Sequence, residues 1–297
     1  MVQRKHLYQI LGVTFFVLLF AGCGPQTGPA TPLPTTAAPS ATPAPATPTA
    51  APTPRPTPRT AATVIAASGD KEWDSVVIGD STVAGLVYRI PKILEEDLGV
   101  KVKPHDVSKG GWNSEGMLRA LRTDEKLRQD LRDADIITFI VPRWVFEVPA
   151  ETYLLSPPGS CGGADNQDCL RQALKQFEAD TDAIIAEIVS LRSPSDALVR
   201  TFDAHTYWAV AESKQKGTFE GLNKYWQAAN EYLIKAAGEH GIPVAMVNQA
   251  FNGPNGDQDP MDNGYVIADH LHPSEKGWDV IAKLIRELGY EYAPESP

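Results

Sequence analysis

Ser75-Val76-Val77-Ile78-Gly79-Asp80-Ser81-Thr82 reads as a strand that ends abruptly in a polar turn. The continuous apolar run leaves no wet face, as expected of a strand covered on both sides of a parallel sheet. The glycine and three polar residues then stop it and open a helix predicted over residues 82–98, with Gly99 as its C-cap. Outward from this point, strand and helix signals alternate. Further strands are predicted at residues 100–107, 135–141, 197–202 and 244–247. The first of these alternates Val with Lys and suits a sheet edge. Helices are predicted over residues 114–121 (capped by Asn113 or Ser114), 123–132 and 219–240. Another runs through Leu170, Leu174, Phe177, Ile184, Ile185, Ile188 and Leu191, and a last one follows Ser274. Five strands with helical crossovers predict one doubly wound α/β domain, whose reactive groups gather at the carboxyl ends of the strands. Ser81, Gly111, Arg143, Asp203 and the loop at Asp269 all fall there.

That loop reads Asp269-His270-Leu271-His272-Pro273. A serine hydroxyl is a poor nucleophile until an imidazole takes its proton, and an aspartate three residues before a histidine can orient the ring. Ser81, His272 and Asp269 are therefore the candidate nucleophile, base and orienting acid. His270 lacks an aspartate at that spacing and is predicted to point elsewhere. Asp203-Ala204-His205 sits at another strand end without a serine motif and reads as packing beside the site.

These blocks resemble the SGNH/GDSL hydrolases. The matches are Val77-Ile78-Gly79-Asp80-Ser81, Gly111 within Gly110-Gly111-Trp112-Asn113-Ser114, and Asp269-x-x-His272-Pro273, and the resemblance covers about residues 73–288. It implies a flavodoxin-like three-layer α/β/α sandwich with a five-stranded parallel sheet, a Ser81–His272–Asp269 triad, and an oxyanion hole using the backbone N–H groups of Ser81 and Gly111. The family's third donor, an Asn in a Gly-x-Asn-Asp block, is not matched, and Arg143-Trp144-Val145 stands in its place. Asn113, Arg143 and Asn248 are the candidate substitutes, and Trp144 is a candidate wall of an acyl pocket. The implied activity is a serine esterase acting on a small-molecule or glycan ester, with acetyl and other short acyl groups as candidate substrates. This chemistry requires no metal and no organic cofactor. The rival reading is a non-catalytic binding module on the same scaffold. Asn255-Gly256-Asp257-Gln258-Asp259-Pro260 has an oxygen-rich rhythm but lacks the glycine and terminal Glu of a calcium loop, so it reads as a polar turn.

The residues before the domain differ in kind. Residues 1–23 combine a basic head, an apolar stretch from Ile10 to Phe20 and small residues before Cys23, the pattern of an export signal. Phe20-Ala21-Gly22-Cys23 resembles the bacterial lipobox, which implies a lipid on Cys23. The apolar stretch is short against the ~20 residues that span a bilayer. Residues 24–62 are predicted to be a disordered tether, since 12 of the 36 residues from 24 to 59 are Pro and most of the rest Ala or Thr. Extended at ~3.1 Å per residue, the 36 residues from 24 to 59 reach at most about 110 Å. The expected product is a domain over residues 63–297, lipid-anchored to the outer face of a bacterial membrane and touching it only through that anchor. All 37 acidic residues follow the tether along with 23 of the 27 basic ones, a net −14. Such a surface repels phosphate and argues against nucleic acid as a partner. Cys161 and Cys169 flank a polar loop and, in an exported protein, are predicted to form a disulfide. Cys-x7-Cys with no histidine nearby is a poor zinc signature.

Overall fold

The apolar run at residues 76–78 lies at the end of β1 (Glu72–Ile78), the pivot of the sheet. The computed structural model describes residues 60–294. β1 pairs in parallel with β2 (Lys101–Asp106) on one side and β3 (Ile136–Phe139) on the other, so Val76 sits between His105 and Ile137. β4 (Leu198–Phe202) and the two-residue β5 (Val244–Ala245) extend the sheet beyond β3, giving the order β2-β1-β3-β4-β5. This is the flavodoxin-like order, in which the connection reverses direction between β1 and β3 and leaves a crevice at their carboxyl ends. The Val/Lys strand β2 is indeed the edge. Val76, Val77, Ile78, Ile136, Ile137 and Phe139 are fully buried, which is why their sequence reads as apolar runs.

Helices cover both faces. α1 (Ala61–Ser68) precedes β1, α2 (Arg89–Leu98) follows it, and α3 (Ser114–Thr123) and α4 (Glu125–Asp133) lead into β3. α5 (Glu147–Leu155) and the long α6 (Asp168–Leu191) connect β3 to β4. α7 (Val210–Gln215), α8 (Phe219–Glu239), α9 (Val247–Asn252) and α10 (Glu275–Glu287) complete the chain. α3, α6 and α8 pack side by side on one face, and α2 packs with α10 on the other. No helix among the described residues is long and apolar enough to cross a membrane. The predicted export signal, Cys23 and most of the tether lie outside the described residues. Thr60 already belongs to the fold: it bridges Glu291 and caps α1, and the Ala61 N–H donates to the Tyr290 carbonyl at 2.8 Å. Cys161 and Cys169 form the predicted disulfide.

Several elements depart from expectation; α1 and α7 have no predicted counterpart. The helix predicted over 82–98 is a 3₁₀ turn, Ser81–Leu86, followed by α2. Starting α2 at Arg89 puts Pro91 in its first turn, where a missing N–H costs nothing, whereas a continuous helix would place it in the interior. The predicted last strand ends at Ala245, and Val247 begins α9. There the Asp203 carboxylate accepts the Asn248 N–H at 2.8 Å and draws the chain into a helix. α5 was not predicted because Pro149 and an irregular apolar pattern give it no stripe.

Candidate active site

The residue after β1 has to be glycine. A Cβ on Gly79 would lie 2.6 Å from Ile140 Cγ2, so the chain passes β3 too closely for any side chain. Asp80 then folds back: its Oδ1 accepts the Thr82 N–H at 2.9 Å and the Thr82 hydroxyl at 2.6 Å. This Asx cap starts the 3₁₀ turn with Ser81 at its tip. No acceptor among the described residues takes the Ser81 N–H. The turn is too short to carry a full helix dipole.

The second half of the site comes from the loop before α10. Val266 bridges Pro273, the Ile267 N–H donates to the His272 carbonyl at 3.0 Å, and Ser274 caps α10 through the Gly277 N–H. Between these ties the chain reverses at His270, a non-glycine residue in the left-handed region (φ 58°). Such backbone is uncommon outside glycine and concentrates at functional sites. It holds Asp269 against His272. Asp269 Oδ1 accepts the N–H groups of Leu271 and His272, both at 2.9 Å, and Oδ2 lies 2.6 Å from His272 Nδ1. His272 Nε2 lies 2.8 Å from Ser81 Oγ across a separation of 191 residues. Ser81, His272 and Asp269 thus come together as predicted. His270 does turn away, its Nδ1 3.8 Å from Asp259.

In the relay that fits these distances, Asp269 accepts the Nδ1–H, which leaves Nε2 free to accept the serine proton. Partial burial alone would push the Asp269 carboxyl up, but the His272 amide and ring and the Leu271 amide outweigh it and hold the group below its ordinary value. The Trp278 indole of α10 donates to the Thr82 carbonyl at 3.1 Å and joins the two halves of the site.

His205, at the end of β4, supports the same loop. Its buried ring stacks on Phe251 and its Nε2–H donates to the Leu271 carbonyl at 3.0 Å. Burial pulls its pKa down to about 4, helped by Arg143 and His272 and opposed by that carbonyl and Asp269, so the ring is neutral. The packing role read for Asp203-Ala204-His205 is what the structure shows, with Asp203 capping α9.

Gly111 has φ 75° and closes the turn in which the Trp112 N–H donates to the Lys109 carbonyl at 3.1 Å. Its neighbour Gly110 comes nearer Ser81, since a Cβ there would meet the Ser81 Cβ at 4.0 Å. The amides of Gly110 and Gly111 have no acceptor among the described residues. Of the three side chains considered for the missing donor, two already serve the fold. Asn113 Oδ1 caps α3 through the Gly116 N–H, and Asn248 is bonded to Ala204, Gln227 and Asn252. Arg143 keeps two buried donors unpaired, its Nε and Nη1, while Asn113 is exposed and its Nδ2 has no acceptor among the described residues. Arg143 lines a cavity of about 210 Å³ bounded by Asp80, Thr82, Trp144, Leu271 and Pro273. Trp144 is therefore a cavity wall. The oxygen-rich turn at 255–260 is tied to its surroundings: the Asp259 carboxylate accepts the Met261 and Val210 N–H groups at 3.0 and 3.1 Å.

No protein-family model matches the chain. No curated protein sequence matches it either. Solved structures do. A lipase from a goat rumen metagenome superposes with a TM-score of 0.58 at 18% identity, covering 73% of this chain and 98% of that one. An extracellular lipase from Streptomyces rimosus gives 0.54 at 15% identity over 72% of this chain and 99% of that one. A phospholipase A1 from Streptomyces albidoflavus gives 0.53 at 13% identity over 72% and 98%. At such identities the likeness establishes the shared fold.

Proposed function

We propose that the chain is a serine esterase of the SGNH/GDSL type, acting on a carboxylic ester through an acyl-enzyme on Ser81. The observation that carries this reading is the unbroken contact from Asp269 Oδ2 through both ring nitrogens of His272 to Ser81 Oγ, at 2.6 and 2.8 Å. Ser81 Oγ attacks the ester carbon as its proton passes to His272 Nε2, and Asp269 stabilises the imidazolium without taking the proton. The tetrahedral oxyanion is met by the free N–H groups of Ser81 and of the Gly110-Gly111 turn. His272 then protonates the leaving alkoxide. Water, deprotonated by the same nitrogen, attacks the acyl-enzyme, and collapse returns the proton to Ser81 and releases the acid. Acetyl and other short acyl groups on small molecules or glycans are the proposed substrates. The lipobox-like Cys23 and the Pro-rich tether support placing the enzyme outside the cell, lipid-anchored to a bacterial membrane.

The Arg143-Trp144 pair, where the resemblance calls for an asparagine donor, favours the second reading, a binding module that no longer turns over. A fluorophosphonate probe and p-nitrophenyl acetate, applied to the full chain, separate the two. Labelling of Ser81 is expected, with hydrolysis reduced about 10⁴-fold or more in Ser81→Ala. No label and no hydrolysis would overturn the enzyme. Hydrolysis unchanged in Ser81→Ala would move the nucleophile elsewhere.

A further inference from the structure

The proton transfer proposed above joins two segments 191 residues apart, and each is held chiefly by its own bonds. Asp80 caps the turn that carries Ser81, and the loop that carries His272 is tied to Asp269 and to its own backbone. Such internal bonds fix the shape of each half. They leave open the separation of the halves, on which the 2.8 Å contact depends. Among the described residues, the other hydrogen bonds that cross between residues 79–89 and residues 264–281 come from two side chains, Trp278 and Arg89.

Trp278 stands in the first turn of α10, just past the Ser274 cap. Its indole N–H donates to the Thr82 carbonyl at 3.1 Å, one residue beyond the nucleophile. The ring rests on bare backbone. A Cβ at Gly85 would run into Trp278 Cδ2, Cε2 and Cε3, so the turn Ser81–Leu86 needs glycine there for the indole to come this close. Arg89 holds the same assembly from α2. Its Nη1 donates to the Gly85 carbonyl at 2.8 Å, Nε to Asp279 at 2.7 Å and Nη2 to the Glu275 carboxylate at 2.6 Å. The guanidinium lies 5.7 Å from the centre of the Trp278 ring, within cation–π reach.

The ion pairs of Arg89 are of a kind that adds little stability. The Glu275 and Asp279 side chains are 81% and 69% exposed, and pairs so open to water are worth little to folding. Position is another matter, because an error of ~1 Å between reacting groups can cost about 10² in rate. We infer that Trp278 and Arg89 are positioning residues, a clamp that sets the reach of Ser81 Oγ to His272 Nε2. This rests on the esterase reading above and names what holds the two halves of its site in register.

The full chain tests it with Arg89→Met, which keeps the stem and drops the bonds, and with Trp278→Phe, which keeps a ring and drops the N–H. Arg286→Gln is the control, since it frees the far end of α10 from Glu96 and Asp97 of α2 and leaves the clamp alone. In both clamp variants, kcat for p-nitrophenyl acetate and the rate of fluorophosphonate labelling are expected to fall together by about 10- to 100-fold, with KM little changed. The melting temperature of Arg89→Met should stay within about 3 °C of the parent. Arg286→Gln should keep the parent's kcat. A parental kcat in either clamp variant overturns the clamp, and so does an equal loss in Arg286→Gln, which would mean that loosening α10 anywhere has the same effect. Should Trp278→Phe not fold, Arg89→Met decides alone.

Nitrogen NMR of the His272 ring separates the clamp from the esterase reading. Ser81→Ala removes the hydroxyl and is expected to move the Nε2 resonance in the parent background but not in the Arg89→Met background, whether or not anything is turned over. A parent that neither labels nor hydrolyses, with this difference present, loses only the esterase reading. Equal displacement in both backgrounds removes the clamp and leaves the esterase intact. No displacement in the parent would remove the contact itself, and both readings with it.

Discussion

The loop at residues 269–273 and the loop that begins at Arg143 both line the cavity at the carboxyl ends of the strands and treat their polar atoms in opposite ways. In the first, both Asp269 oxygens, both His272 ring nitrogens and the Leu271 carbonyl have partners, and only the His270 Nδ1, turned away, is buried without one. In the second, a cation more deeply buried than any of these keeps two nitrogens unpaired. A fully paired set of side chains holds its geometry whether or not a ligand arrives, which is what proton transfer between fixed atoms requires. The difference separates polar atoms fixed by hydrogen bonds from a cation held mainly between ring faces.

The sharpest way to break the first loop without unfolding it is Asp269→Asn. The amide oxygen can keep the two backbone N–H groups, but the NH₂ cannot accept the His272 Nδ1–H. The ring then favours the tautomer with Nε2 protonated, and Ser81 loses its base. We expect kcat to fall by about 10³–10⁴ with little change in melting temperature. Less than a tenfold loss in steady-state hydrolysis of p-nitrophenyl acetate would show that Asp269 does not orient the base.

The second loop should break in stability. Asn230→Leu removes the acceptor of Arg143 Nη2 and also the acceptor of the Ala204 N–H, 3.1 Å away. It leaves a buried cation with ring faces and Asp203 alone, and urea denaturation should show a loss of about 3 kcal/mol. The double variant with Arg143→Met should lose clearly less than the sum of the singles, because the stranded charge is gone. Additive losses would mean that Asn230 serves only Ala204 and that Arg143 does not need it.

Much of this was legible because burial on both faces writes itself as apolar runs, as at residues 76–78 and 135–141, and because the Gly-Asp-Ser turn and the Asp-x-x-His spacing are local patterns. What escaped depends on distant partners. Nothing in the apolar run from Val244 to Val247 says that Asp203 will pull Asn248 out of the strand. Nor does the sequence show that Gly110, beside the Gly111 singled out for its place in the block, adjoins Ser81 more closely. Arg143 was visible as an oddity at the end of a strand, but arginine is seldom fully buried. Its sandwich between Phe177 and Trp226 joins three elements that periodicity cannot bring together.

His205 ties the two loops through protons, and its effect is the smallest because a neighbour masks it. In the unfolded chain its pKa is near 6.5, and in the fold burial holds it at about 4. As pH falls through that window the unfolded state takes up a proton that the native state refuses, so stability declines. Asp203 works the other way. Burial raises its carboxyl from 3.8 to about 6, so the native state takes up a proton first and gains stability over nearly the same range. Each contribution is on the order of 2–3 kcal/mol at 1.36 kcal/mol per pKa unit, and they largely cancel. His205→Gln keeps a side-chain N–H that can reach the Leu271 carbonyl but removes one of the opposed titrations. Relative to its own value at pH 7, the variant should become more stable by about 2 kcal/mol between pH 6.5 and 4.5, while the parent stays nearly flat. Urea midpoints measured across that range decide it: parallel curves would mean that His205 titrates alike in the folded and unfolded chains and that its ring is not held neutral beneath the catalytic loop.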